Sequence, residues 1–469
     1  MSTEKYDLVF IGLGAASIFA AYELQALKSN KSVCIIEKGK PLEKRVCPIN
    51  GKTIKSCIHC DVCSIMSGAG GAGAFSDGKY NITTDFGGDI ADYIGKEEAI
   101  KLMNYVDSIN LSMGGEGTKK YSTTGSKIKT EALKYDLHML DAEVRHLGTD
   151  RNYHILSRMI DIISKTCDIK YETEALEINH KDDSDGRKIW IVHAINKKKE
   201  PIDICCNNII IATGRSGSKW TSKMCDSLGI KRKDNRVDIG VRFECHASIW
   251  EEITSQVYES KILYRSPKTG CTCRTFCMNQ RGYVVNENTN GIVTVNGHSF
   301  EDPSKFSENT NFALLVTHVF TEPFKDSNAY GEAIANLTNM LAGGVMIQRF
   351  GDLISNRRST PSRIERSFVR PTLSAEPGNL ALAIPKLTLD TIIEMVYQLD
   401  KLVPGTANYD NLLYGTEVKF YNSKIELNDK FMTNIQGLYI IGDCSGTTHS
   451  LSQASAEGVY IARIIANNS

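Results

Sequence analysis

The sequence predicts an α/β fold of Rossmann type into which a mostly antiparallel α+β domain is inserted. Three stretches carry that prediction. Residues 6–38, YDLVFIGLGAASIFAAYELQALKSNKSVCIIEK, read as strand, glycine turn, helix and strand. Residues 207–214, NNIIIATG, read as a buried strand ending in small residues. Residues 437–466, GLYIIGDCSGTTHSLSQASAEGVYIARIIA, read as a third buried strand, a polar loop and a helix. Continuous apolar runs of strand length beside helical periodicity mark parallel strands covered on both faces.

In the first stretch the strand covers 8–11, the helix runs from about 15 to 27, and a second strand over 32–36 ends at Glu37. Gly12 allows a sharp turn, and Gly14 lets the backbone approach a pyrophosphate. The helix N-terminus at Ala15 and Ala16 offers free N–H groups and partial positive charge. Ser17 stands at the third glycine position and is still small enough for close helix–strand packing. Glu37 lies 25 residues after Gly12, where a carboxylate accepts bonds from a ribose 2′-OH and repels a 2′-phosphate. With Lys38 beside it, the unit predicts a site for FAD or NAD rather than NADP.

A chain of 469 residues predicts two or three domains. Its 55 basic residues balance 55 acidic ones, so no field built for nucleic acid or an anionic membrane is expected. No apolar run reaches membrane-spanning length, and a cytoplasmic location is the expectation. Fourteen cysteines in such a protein do not predict a disulfide scaffold. Cys34 and Cys205, in or beside apolar runs, read as small buried hydrophobes.

Residues 39–56 carry turn formers and charges and predict an irregular excursion. Three cysteines then fall at two-residue gaps, Cys57, Cys60 and Cys63, with Cys47-Pro48 ten residues earlier. Such spacing lets three thiolates converge, and Cys47 as a fourth ligand would complete an iron–sulfur or zinc site, with His59 an alternative zinc ligand. Redox thiols beside a flavin and inert loop thiols are the competing readings. Next comes GAGGAGAFSDGK over 68–79. Its glycines clear space for a ligand and Ser76 and Asp77 add polar contacts, so it reads as a cofactor-lining loop.

Helical spacing recurs over 96–110 and 131–147, followed by a loop at 148–150, a helix to about 165 and a strand over 169–174. Charged residues over 181–188 mark a hairpin, and IWIVHAI followed by NNIIIATG supplies two further strands. Between 218 and 360, strand-like pieces at 237–244, 282–285, 292–295 and 312–319 alternate with long turns, as in an antiparallel substrate domain. This region holds Arg242, Cys271, Cys273, Arg274, Cys277 and His298. In the third stretch, Asp443 at a strand end is positioned for a flavin's ribityl hydroxyl, and the dipole of the following helix for its pyrimidine edge.

GLGAAS with Glu37, ATG at 212–214 and the motif starting at Gly442-Asp443 resemble the three FAD-binding signatures of the two-dinucleotide-binding, glutathione-reductase-like flavoprotein superfamily. KRVCPI, CIHCDVC, GGAGAFSDGK, EVRHLGTDRN, IGVRFE and TFCMN are similar to a group of bacterial FAD-dependent dehydrogenases. The resemblance implies FAD contacts at Gly12, Gly14, Ser17, Glu37, Arg45, Gly71, Gly73, Ser76, Asp77, Thr213, Gly214 and Asp443, with Ala72 in the same loop. It implies a Rossmann-type FAD-binding domain over 1–217, including a Cys-rich loop at 45–80, and over 361–469, with 218–360 inserted as the substrate domain.

The expected activity is an FAD-dependent oxidoreductase acting on a small organic substrate, with an external electron donor or acceptor. No second glycine fingerprint follows a strand after residue 214, which argues against a disulfide reductase with its own NAD(P)H domain. Candidate proton-transfer groups are Cys277, His298 and His449. A flavin and Cys-cluster electron-transfer or redox-sensing protein is the first alternative. An RNA-modifying flavoenzyme is the second, and the balanced charge argues against it.

Overall fold

The apolar run LVFI becomes the buried end of strand β1 (Thr3–Ile11), followed by helix α1 (Ala15–Ala26) and strand β2 (Val33–Ile36). The computed structural model describes residues 3–48, 58, 60–257, 259–289, 291–300, 303–321, 324 and 326–467. The chain divides into two compact units. The first comprises Met1–Lys120, Glu143–Lys233 and Asn422–Ser469, and the second Tyr121–Ala142 and Asp234–Tyr421.

The first unit continues with α2 (Ile90–Ile94), α3 (Lys96–Asn110), α4 (Thr149–Ile163), β3 (Cys167–Lys170), β4 (Glu174–Asp182), β5 (Lys188–Ile195), β6 (Pro201–Ile211), α5 (Ser218–Ser227), β7 (Leu438–Ile440) and α6 (Leu451–Asn467). Its sheet has the order β3-β2-β1-β6-β5-β4, with β7 also paired to β6. Strands β3, β2, β1, β6 and β7 are parallel, in a register that sets Leu8 opposite both Val33 and Asn208, and Ile209 opposite Leu438. The first half of β6 pairs antiparallel with β5 and its second half parallel with β7. β5 shows the matching change of pattern, with Trp190, Val192 and Ala194 buried in alternation.

Helix α1 is apolar around most of its circumference and is correspondingly buried. It packs on α6 at a contact only glycine allows, since a Cβ on Gly458 would lie 2.1 Å from the Ala16 carbonyl oxygen. Glu23, the acid of this buried helix, accepts from Arg463 Nε of α6 at 2.7 Å and from the Tyr105 hydroxyl of α3 at 2.7 Å. One carboxylate thus ties three helices together.

The second unit is built on an eight-stranded sheet, antiparallel except for one short edge pair. Its strand Val237–His246 is buried on both faces: Val241, Phe243 and Cys245 enter the main apolar core, while Asp238, Arg242 and Glu244 alternate on the other side. There Arg274 pairs with Asp238, Arg242 with Glu417 (3.0 Å), and the Tyr414 hydroxyl donates to Glu244 at 2.6 Å. Burial pushes the Glu417 carboxyl up to about 7.

Two expectations differ from the structure. Residues 131–147 do not form a helix: one ends at Leu133, and Leu137–Met139 and Glu143–His146 are strands. Leu137–Met139 takes the edge of the second unit's sheet, and Glu143–His146 pairs with Lys79–Ile82. Sheet pairing overrides a short helical spacing. The second unit spans 121–142 and 234–421 instead of the 218–360 read from sequence, because Leu137–Met139 and Leu412–Lys419 hydrogen-bond into its sheet while 218–233 stay with the first unit.

Candidate functional site

A cleft of about 380 Å³ opens at the C-terminal ends of β1, β2, β6 and β7. Open parallel sheets bind ligands at this position. Every residue lining it belongs to the first unit.

At the β1–α1 turn, Gly12, Gly14, Ala15 and Ala16 line the cleft. Gly12 has φ +102°, and a Cβ there would lie 2.5 Å from the Ala212 carbonyl oxygen, so the turn can press against the end of β6 only as glycine. Helix α1 has no side-chain cap and no acid in its first turn, which leaves its N-terminal N–H groups to a ligand. Ser17 is fully buried behind the turn and does not line the cleft.

Glu37 follows β2 with only 6% of its surface exposed. Its Oε2 accepts from the Leu13 N–H and its Oε1 from the Gly39 N–H, both at 2.8 Å. The carboxylate therefore fixes the glycine turn from behind while it lines the cleft beside Lys38, which is paired with Glu174 at 2.7 Å.

From the second glycine-rich stretch, Gly71, Ala72, Gly73 and Ser76 reach the cleft. Arg45 does not; its guanidinium donates to the carbonyls of Ser64, Ile65, Ala69 and Gly71 at 2.6–2.9 Å and stacks on the Phe75 ring at 4.7 Å. It shapes the loop that lines the cleft. Asp77 likewise turns away, to Lys79 at 2.9 Å.

Thr213 and Gly214 line the cleft at the end of β6, and Asp443 at the end of β7. Asp443 is paired at 3.3 Å with Arg215, another lining residue. Its turn is held by Glu457 of α6, whose Oε2 accepts from the Gly442 N–H and whose Oε1 lies 2.6 Å from the Thr447 hydroxyl.

Of the three proton-transfer candidates, His449 lines the cleft. Cys277 and His298 belong to the second unit, Cys277 in a left-handed conformation (φ +47°) at an irregularity of its strand, His298 with its ring 4.7 Å from that of Phe300. Cys47 is half-buried, Cys60 and Cys63 are exposed, and Cys57 and His59 lie outside the described residues. Among the described residues no group of three or more His, Cys, Asp or Glu side chains is placed to hold a metal ion.

Sequence reasoning missed Thr173–Ala175, Arg215, Trp220 and Glu457. The first falls at the end of a run read as one strand, which the structure breaks between Lys170 and Glu174. A readable signal for Glu457 existed: a lone acid among the small and apolar residues of SQASAEGVYIA.

The residues fit a dinucleotide in three respects: an uncapped helix start behind a glycine turn, a buried carboxylate after β2, and a second carboxylate after β7. Residues 238–420 match the family model described as FAD-dependent protein, C-terminal domain-like. A protein of Clostridium beijerinckii described as uncharacterized is 26% identical over 481 residues, covering 97% of this chain and 80% of that one. Among solved structures, the chain is similar to an E. coli quinol fumarate reductase FrdA variant (14% identity, TM-score 0.43, 100% of this chain and 71% of that one). It is also similar to glycine oxidase from Geobacillus kaustophilus (10%, 0.39, 100% and 96%) and to L-alpha-glycerophosphate oxidase from Mycoplasma pneumoniae with FAD bound (11%, 0.41, 100% and 96%).

Proposed function

We propose that this chain is an FAD-dependent oxidoreductase of a small organic substrate, with FAD held in the cleft of the first unit. The observation that carries the reading is convergence. Segments around residues 12, 37, 71, 213 and 443, spread over the chain, line one cleft, which thereby gathers free helix N–H groups and the carboxylates of Glu37 and Asp443.

The N–H groups at the start of α1 face the pyrophosphate, with Arg215 as a neighbouring cation. Glu37 accepts from the adenosine ribose, and Asp443 from the ribityl chain. Bound FAD supplies hydride or electron transfer; the protein supplies orientation and electrostatics. His449, the one proton-transfer candidate on the cleft, holds or moves a proton at its imidazole during substrate turnover. The family-model match over 238–420 supports the FAD assignment independently of the cleft.

The test is the absorption spectrum of the purified protein, with chromatography of whatever nucleotide heat releases. FAD near one equivalent per chain, or its uptake by nucleotide-free protein, is expected. NAD in its place, or no uptake of FAD, overturns the reading. Once screening for bleaching of the bound flavin finds a substrate, H449Q should keep FAD and lower turnover by about 10²–10⁴.

A further inference from the structure

Glu457 is fully buried in α6, and the protons around it can be counted. Ser445 Oγ donates to the Gly442 carbonyl at 2.6 Å, which uses the serine proton. Thr447 Oγ1 lies 2.5 Å from Ser445 Oγ and 2.6 Å from Glu457 Oε1. If Glu457 were ionised, the threonine proton would serve the carboxylate. Two hydroxyl oxygens 2.5 Å apart would then have no proton between them. If Glu457 carries a proton, it donates to Thr447, Thr447 donates to Ser445, and Ser445 donates to Gly442. Its other oxygen meanwhile accepts the Gly442 N–H. Only the protonated acid fills every contact.

We propose that Glu457 is a neutral carboxylic acid that acts as a positioning residue: it closes the hydrogen-bonded circuit of the Gly442–Thr447 turn and keeps a second negative charge away from Asp443, where FAD is held. This rests on the reading of the cleft as an FAD site.

Burial pushes the Glu457 carboxyl up to about 8, and the Asp443 charge adds to the rise. The groups facing it from other elements do not offset this. Tyr93 of α2 is itself pushed up to about 12, by burial and then by Glu457, and Asp89 before α2 is paired with Lys424 at 3.0 Å. Of helix α1, the Ala16 backbone lies against the neighbouring Gly458. Above pH 8 the acid ionises beside Asp443, the circuit loses a proton, and affinity for an anionic dinucleotide falls about tenfold per pH unit.

The conservative variant separates positioning from bulk. In E457Q the amide oxygen accepts from Gly442 and the amide nitrogen donates to Thr447, copying the neutral acid. Titration of nucleotide-free protein with FAD, followed by flavin fluorescence, should give wild type and E457Q Kd values within about twofold at pH 6.5. At pH 9, E457Q should bind about tenfold tighter than wild type. A tenfold loss in E457Q at pH 6.5, or a wild-type affinity flat to pH 9, overturns the proposal. Infrared difference spectra of nucleotide-free wild type against E457Q decide the protonation without FAD. A carboxylic-acid carbonyl band that fades above pH 8 is expected, and its absence at pH 6.5 overturns the proposal. If wild type takes up no FAD, the reading of the cleft falls, while the infrared band still tells whether Glu457 is neutral.

Discussion

Arg45 spends a buried charge on neutral partners. Burial pulls it down to about 10, so it remains protonated at neutral pH, and four carbonyls of the 64–71 loop accept its N–H groups. A lysine has three donors and no planar fork, and it cannot reach all four. R45K should cost about 2–4 kcal/mol in urea unfolding, from carbonyls left without donors. FAD binding should weaken at least about tenfold, because the loop no longer stands preformed. Unchanged affinity in R45K would mean that the loop holds its shape without the arginine. The resemblance to flavoproteins implied an FAD contact at Arg45, whereas its guanidinium binds the backbone of the loop that lines the cleft. A sequence pattern marks a residue that a site depends on; it does not tell a group that touches the ligand from one that bends the chain around it. The place of Glu37 on the cleft is legible because it follows from the distance to the glycine turn. Arg45 is not, because its acceptors are backbone atoms some 20 residues on.

Among elements, the α1–α6 contact is the most exacting. Replacing Gly458 by alanine raises intrinsic helix propensity by about 1 kcal/mol. The new Cβ would sit 2.1 Å from the Ala16 carbonyl oxygen, with backbone on both sides and no flexible side chain to move. The clash prevails, and G458A should lose about 2–3 kcal/mol net in urea unfolding. Weaker FAD binding should accompany it, since Ala16 lines the cleft. The βαβ unit, β7 and α6 were readable in the sequence because each carries its own period and its own turn chemistry. The run 131–147 was not, since its apolar residues are sorted among a helix and strands of different sheets by partners far along the chain.

At the scale of the whole molecule, two units with separate apolar cores predict unfolding in more than one step. FAD is expected to bind the first alone. At a concentration about 100-fold above its Kd it should stabilise that unit by about 2.7 kcal/mol. In calorimetry one transition should move upward with FAD and the other should stay; a common shift of both, or of neither, would contradict this. The architecture of both units was visible in the alternation of buried runs and long turns. The true extent of the second was hidden, because Leu412–Lys419 carries no local mark of the sheet it joins.

The insertion also orders events in time. Helix α1 is synthesised long before α6, the helix that covers it. At about 5–20 residues per second, the 424 residues between them take roughly 20–90 s to synthesise. Through that interval Ile18, Phe19 and Leu24 wait without their permanent cover, and Asp443 has yet to arrive. Until then the nascent chain presents a sticky helix and half of a nucleotide site, so capture of the cofactor waits for the segment that carries Asp443 and α6.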